Sequence, residues 1–559
     1  MRASRLTSDE QTSGRAPPIM AKGNPTTPPA ATARTLPRLS RLAAAVTSRR
    51  DPTVRVLDEA AAPEQRRRVR RIVAAIPAPL AALLVVVVVF GVSWALIDPA
   101  WQAPDEDVHF SYVQTLGQLH RLPGTRPGPS LSAAQVYGMT ALNNDPIVFF
   151  SYARPEWSKQ MFGLYKKYAP RFPPNTAGGP NTASGYPPAY YLSVTPGYLL
   201  AKHSTPVTQL YAVRLGSMLW LLVTTTGVWL LAGELFGRRR HLQLAAAACV
   251  GLWPMLDFIS SSVNPDSMLY ALSALTLWLG VRIIRRGLSV GTAAAFGLCL
   301  GLALVTKATA LALVPPSAFV LGLALWRLLR GRDLRRALIT GAVAIGLVLI
   351  FVGTWREVVM SSHRAAYGQV AGVTSGVTNW HEFASYVWQY YLPKLWFMHP
   401  VHFDIPVVSH WPAYNTWVAM GWGAYGWVTI WFPYGVYHWF LAITVLVGVG
   451  AISRLIFQAR RHRGSRVVRS EWLPIAIYFA SAVVVLLAGL HWAEYQSRHA
   501  LNQGRYLFPL AGIAGCLVAL ALTWLPRRRQ PIAVGILCGL LVVFQLFSLG
   551  LVGSHYYAL

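Results

Sequence analysis

Acidic residues are scarce in this chain: 21 Asp and Glu stand against 50 Lys and Arg in 559 residues, for a formal net charge of +29. Charge of either sign is sparse. Charged residues make up 13% of the chain, where a soluble domain carries roughly 25%. That deficit comes with 54% hydrophobic residues and with apolar runs recurring from residue 73 to the C-terminus. Together they exclude an ordinary soluble fold and predict an all-α polytopic membrane protein. Cysteine is rare too. Cys249, Cys299, Cys516 and Cys538 all fall inside apolar runs, without metal-ligand spacing and away from loops where a disulfide would help. They read as small buried hydrophobes.

In a soluble protein the excess of positive charge would suggest nucleic acid. Here most arginines sit in short loops between apolar runs, where the positive-inside rule expects them, so no nucleic-acid partner is expected. Residues 1–65 are rich in Pro, Thr, Ala, Ser and Arg without apolar periodicity and read as a disordered cytoplasmic tail. No cleavable signal peptide is expected, because the first apolar run comes late and no cleavage site follows it.

A span needs about 20 mostly apolar residues. About eleven are expected, at 73–97, 207–235, 242–263, 266–283, 288–304, 308–329, 337–356, 427–450, 472–490, 506–525 and 531–553. With the N-terminus in the cytoplasm, every inside loop is basic: Arg238–Arg240, Arg282 to Arg286, Arg330 to Arg336, Arg460 to Arg469, and Arg527–Arg529. The C-terminus then falls outside a plasma membrane. The membrane domain covers 66–559, with two long outer loops at 98–206 and 357–426 that are expected to fold. Segment 186–202 is apolar and aromatic but short and broken by Pro196. It is placed at the outer interface, since counting it as a span would turn Arg238–Arg240 outward.

Polar groups near a bilayer are functional candidates by default, and several converge on the outer face. Asp105, Glu106 and Asp107 follow the first span, behind Pro104, which can open a helix. Acids suit a helix N-terminus, but the dipole asks for one, not three. A helix from Asp105 would bring His109 and Tyr112 near the acid. A carboxylate so placed suits a general base, and Asp105, Glu106 and His109 together could hold a divalent cation. Asn264-Pro265-Asp266 reads as a polar turn or a site element, and Lys307 as a snorkelling interface lysine or a phosphate ligand. In Gln503-Gly504-Arg505-Tyr506, the arginine offers a donor fork for phosphate and Gly504 would let a ligand near the backbone. Arg214, inside a span, would be costly unpaired. Tyr186, Tyr190, Tyr191 and Tyr506 could line a groove or form an aromatic belt.

The order Pro104-Asp105-Glu106, then Tyr186-Pro-Pro-Ala-Tyr-Tyr191, Arg214, Asn264-Pro-Asp266 and Thr306-Lys307 resembles the GT-C superfamily of membrane glycosyltransferases. Pro-Asp-Glu-x-x-His with the late Gln-Gly-Arg-Tyr-Leu-Phe-Pro is most similar to a bacterial family of predicted multi-spanning membrane proteins grouped with GT-C by fold. The resemblance covers about residues 72–555. It implies a polyprenyl-phosphate sugar as donor and a cell-envelope glycan, lipid or protein as acceptor. It also implies Asp105 as catalytic base with Glu106 second, and Lys307 near the donor phosphate. Roles for Arg505 and Arg214 at the phosphate rest on chemistry alone, and His109, Asn264 and Asp266 would be supports. No cofactor is required if the cations suffice. A transporter or flippase of lipid-linked glycans, or a non-catalytic envelope scaffold, would also place charges at membrane depth.

Overall fold

The computed structural model describes residues 76–557 except 125–127, 145–146, 148–157, 363–378, 402, 404–408, 462–467 and 498–501. The tail expected over 1–65 lies outside the described residues. Nine helices among those described are long and apolar enough to cross a bilayer. They are Ala78–Ile97, Pro206–Phe236, Asp266–Arg286, Ala308–Arg330, Leu334–Ser362, Tyr434–Arg461, Ser470–Ser497, Gly504–Leu522 and Gln530–Tyr557. At 1.5 Å per residue, about 20 residues match a hydrocarbon core of roughly 30 Å.

Two of the eleven expected spans have another form. The run at 242–263 is a pair of helices, Arg240–Gly251 and Pro254–Ser260, bent by 60°. Pro254 supplies the cause, since it lacks the N–H that would continue the first helix. The run at 288–304 is the 15-residue helix Val290–Leu304, about 22 Å long and short of the full hydrocarbon depth. Segment 186–202 holds the helix Ala189–Leu200, also too short to cross.

These helices are apolar all round because one face meets lipid and the other meets protein. In Tyr434–Arg461, Trp439, Leu446 and Val449 stay exposed. By contrast Asp266–Arg286 runs through the middle of the bundle with nearly every side chain buried. Small residues let backbones touch where a side chain would not fit: Gly297 packs on Ala344 and Gly515 on Ala246.

The described parts of the two long segments, 98–206 and 357–426, carry helices of their own. The first carries the helices Glu106–Leu119, Ala133–Ala141, Lys159–Tyr168 and Ala189–Leu200. Ser132 and Ser158 cap the middle two by accepting from Gln135 N and Met161 N. Beneath them lies an aromatic core of Trp101, Phe110, Tyr112, Tyr190, Tyr191 and Tyr198, in which the Tyr112 and Tyr191 rings stack at 3.8 Å. The second segment carries the helix Trp380–Tyr391, a π-helical turn at Tyr414–Ala419, and a small antiparallel hairpin pairing Ala424 with Trp431.

Candidate active site

Asp105 sits where the chain leaves the first span and turns into the helix Glu106–Leu119. It adopts a left-handed conformation, φ 60° and ψ 13°, which Asp tolerates better than most residues. The helix thus starts one residue later than expected: Asp105 precedes it, and its carbonyl accepts from His109 N at 3.1 Å. The carboxylate is lifted off the helix and keeps 51% of its side-chain surface open.

Behind it runs a row of alternating charges contributed by four distant parts of the chain. Asp105 Oδ2 lies 3.3 Å from Arg505 Nη2, Arg505 Nε lies 4.0 Å from Asp266 Oδ2, and Asp266 Oδ1 lies 2.7 Å from Lys307 Nζ. Asp266, Lys307 and Arg505 stand at the starts of the spans Asp266–Arg286, Ala308–Arg330 and Gly504–Leu522, and Asp105 follows the span Ala78–Ile97. Arg505 and Asp266 side chains are only 2% exposed. Even so, Arg505 Nε and Nη1 have no hydrogen-bond partner among the described residues. A buried guanidinium with two idle donors is costly as it stands and is ready for an anion. Burial by itself would raise the Asp105 carboxyl. The Arg505 charge, joined by His109 and Lys307, outweighs it and holds the group below the usual carboxylate range.

Neighbours fix this row. Asn264 Oδ1 accepts from Asp266 N at 3.0 Å, closing the turn that leads into the central span, and its amide reaches Pro104 O at 3.5 Å. Tyr270 donates to Arg505 O at 3.1 Å. The Tyr506 ring lies 5.1 Å from Lys307 Nζ and 5.4 Å from Arg505 Cζ. Gly504 has a use other than the expected one. Its backbone lies against Gly421, where an added Cβ would strike main chain. The close approach is made by the second long segment, at Met420 and Gly421.

Arg214 and Glu106 do not join the row. Arg214 Nε donates to Glu106 Oε1 at 2.7 Å, and Nη2 pairs with Glu106 Oε2 at 2.5 Å and Asp98 Oδ2 at 3.3 Å. Its remaining donors go to the carbonyls of Ala95, Asp98 and Pro99. Glu106 Oε1 also accepts from Val263 N at 3.0 Å. Both side chains are sealed, at 1% and 0% exposure, so the expected phosphate role for Arg214 and catalytic role for Glu106 give way to a brace under the Asp105 turn. Burial pushes the third member, Asp98, up to about 8, with Arg214 opposing and Glu106 reinforcing the rise.

The tyrosines divide in the same way. Tyr186 and Tyr506 are partly exposed beside the charges. Tyr190 and Tyr191 are fully buried, Tyr190 bonding Ser217 Oγ at 3.0 Å and Tyr191 meeting His109 Nδ1 at 2.9 Å. They are core, not groove. His109 stands between Asp105 and the Tyr186 ring, which is 5.7 Å away, and burial pushes its imidazole down to about 4. Among the described residues no three His, Cys, Asp or Glu side chains converge as a metal shell needs. The set Asp105, Glu106 and His109 is divided among Arg505, Arg214 and Tyr191.

Sequence reading passed over Glu494. It is 6% exposed, accepts from Tyr386 OH at 2.7 Å and from the Asn502 amide, and so holds the strand of chain leading into Arg505. Its signal was available: an acid just past an apolar run, like the cluster at Asp105.

A multi-pass helical membrane protein with an ionic site at one end of its bundle is the class that fold and site define. The chain belongs to the family described as "Predicted membrane protein (DUF2142)", whose model matches residues 88–514 and so takes in Asp105, Asp266, Lys307 and Arg505. Among solved structures the chain is similar to ArnT from Cupriavidus metallidurans bound to undecaprenyl phosphate. The identity is 14%, covering 85% of this chain and 77% of that one, with TM-score 0.42. ArnT in the apo state gives 14% identity, coverage of 85% and 76%, and TM-score 0.42. The archaeal oligosaccharyltransferase AglB from Archaeoglobus fulgidus, in complex with an inhibitory peptide and a dolichol-phosphate, gives 10% identity and TM-score 0.43. There the match covers 85% of this chain but only 56% of the AglB chain. No curated protein sequence matches this chain.

Proposed function

We propose that this protein is a membrane glycosyltransferase of the GT-C kind, moving a sugar from a polyprenyl-phosphate donor to a cell-envelope acceptor on the outer face of the plasma membrane. The observation that carries this is the row Asp105–Arg505–Asp266–Lys307, which sets a half-open carboxylate beside a buried guanidinium with two idle donors. The motif order set out above supplies the reaction class, and the chemistry of the row fits it.

The donor phosphate takes the free Nε and Nη1 of Arg505, with Lys307 as second cation. The acceptor hydroxyl attacks the anomeric carbon from the side opposite the phosphate. As the new C–O bond forms, the old one breaks, its electron pair leaves with the phosphate, and the hydroxyl proton passes to Asp105. Arg505 and Lys307 stabilise the charge growing on the leaving group. Drawing Arg505 toward phosphate loosens its hold on Asp105, so the carboxylate becomes more basic when a donor is bound. His109 is neutral at working pH and orients by hydrogen bonding. Tyr186 and Tyr506 offer ring faces to the sugar or prenyl chain.

The test is equilibrium binding of a radiolabelled prenyl phosphate to purified protein in detergent. Arg505→Met is expected to weaken binding at least about tenfold, the worth of one charge-assisted hydrogen bond. Equal binding by wild type and variant would remove the phosphate site and with it this reading.

A further inference from the structure

At the opposite end of the helix Pro206–Phe236, about 46 Å along its axis by residue count, the chain carries two arginine triplets. Arg238–Arg240 and Arg527–Arg529 lie nearly 290 residues apart in sequence. The fold brings their loops together, with His241 Nε2 and Gln530 Oε1 hydrogen-bonded at 3.0 Å and Gln530 Nε2 fastening its own turn through Leu525 O at 2.9 Å. Arg240 is held by Gln243 Oε1 at 2.9 Å and stands 5.8 Å over the Trp229 ring. At the edge, Arg454 bonds Thr523 Oγ1 at 3.0 Å and stands 5.0 Å over Trp524.

The positive-inside rule explains basic loops but not the contrast with the neighbouring run. There Glu234 binds Arg282 at 3.0 Å and Arg286 at 2.9 Å, and Glu471 binds Arg285 at 3.0 Å. No Asp or Glu among the described residues pairs with any arginine of the two triplets, and Arg238, Arg240 and Arg527–Arg529 are exposed. Two acids thus offset part of the charge of one basic cluster, whereas the two triplets, brought together by the fold, have no acid partner among the described residues. Guanidinium groups flanked by indoles match the phosphates of a bilayer surface.

We propose that the two triplets form one binding site for the headgroups of anionic phospholipids in the leaflet that covers this end of the bundle. The proposal is independent of the glycosyltransferase reading. Each arginine near an anionic surface is worth roughly fivefold in affinity.

The experiment is native mass spectrometry of the purified protein in mixed micelles, with phosphatidylglycerol against phosphatidylcholine of the same chains. Retention of the anionic lipid over the neutral one, lost with added salt, is expected. A quadruple Arg238→Gln, Arg239→Gln, Arg527→Gln, Arg528→Gln variant should reduce it about tenfold or more. His241→Leu, which leaves every arginine in place but parts the loops, should also lower it, and this arm stands if the quadruple variant does not fold. Equal retention of the two lipids, undiminished retention in both variants, or displacement by free glycerol phosphate as effective as by lipid would overturn the proposal.

Discussion

The brace under the Asp105 turn gives a sharp prediction about Arg214. Arg214→Met removes every partner of the buried Glu106 carboxylate except Val263 N. Breaking a buried pair by deleting one partner costs about 3–5 kcal/mol. Asp98 adds little, because burial has already pushed it up to about 8 and it takes a proton once the guanidinium is gone. With an unfolding entropy of ~2.1 cal/mol/K per residue over roughly 480 residues, that loss lowers the apparent Tm by about 3–5 °C. Glu106→Gln added to Arg214→Met leaves no buried charge without a partner, so it should recover most of the fall. Thermal unfolding in detergent, followed by intrinsic fluorescence at a fixed scan rate, reads all three proteins. A single variant with wild-type Tm but without prenyl-phosphate binding would refute the brace and return Arg214 to the phosphate site.

Three further outcomes follow from the same geometry. Gly504→Ala drives a methyl group into the Gly421 backbone, so Tm should fall by an amount matching about 1–3 kcal/mol of overpacking and prenyl-phosphate binding should weaken; unchanged binding would detach the second long segment from Arg505. Burial holds His109 at about 4 when folded, against about 6.5 unfolded. Its contribution to stability is therefore complete above pH 6.5 and is lost as pH falls from 6.5 toward 4; a His109→Gln variant should show a flatter Tm between those pH values, and an unaltered slope would count against the buried neutral ring. Glu494→Ala strips Tyr386 and Asn502 of their acceptor and should raise KM for donor more than it lowers kcat, with Glu494→Gln recovering part of the effect.

Much of the fold was legible because a bilayer imposes length and sidedness on the chain. Nine of the eleven apolar runs became helices long enough to span, and Asp105, Asp266, Lys307 and Arg505 came together at one end of the bundle. The bend at Pro254 was written in the proline but hidden by the unbroken apolar run around it. The pairing of Glu106 with Arg214 was not legible, since the two lie 108 residues apart and both carried equally good reasons to be functional. Only packing decides which carboxylate of three neighbours turns inward. Tyr190 and Tyr191 were lost for a similar reason: tyrosine suits a groove and a core alike. Gly504 showed that something must come close, but not what.

Asp105→Asn is the variant that tests the central claim most directly. Asn accepts the left-handed conformation at this position at least as well as Asp, and its amide oxygen can still accept from Arg505 Nη2, while Asp266 remains as a carboxylate facing that guanidinium. The measurement is sugar transfer in membranes supplied with a radiolabelled polyprenyl-phosphate sugar, alongside Tm and prenyl-phosphate binding of the same protein. Loss of a general base predicts transfer reduced about 10²–10⁴-fold, with prenyl-phosphate binding retained. Full transfer by Asp105→Asn would contradict it.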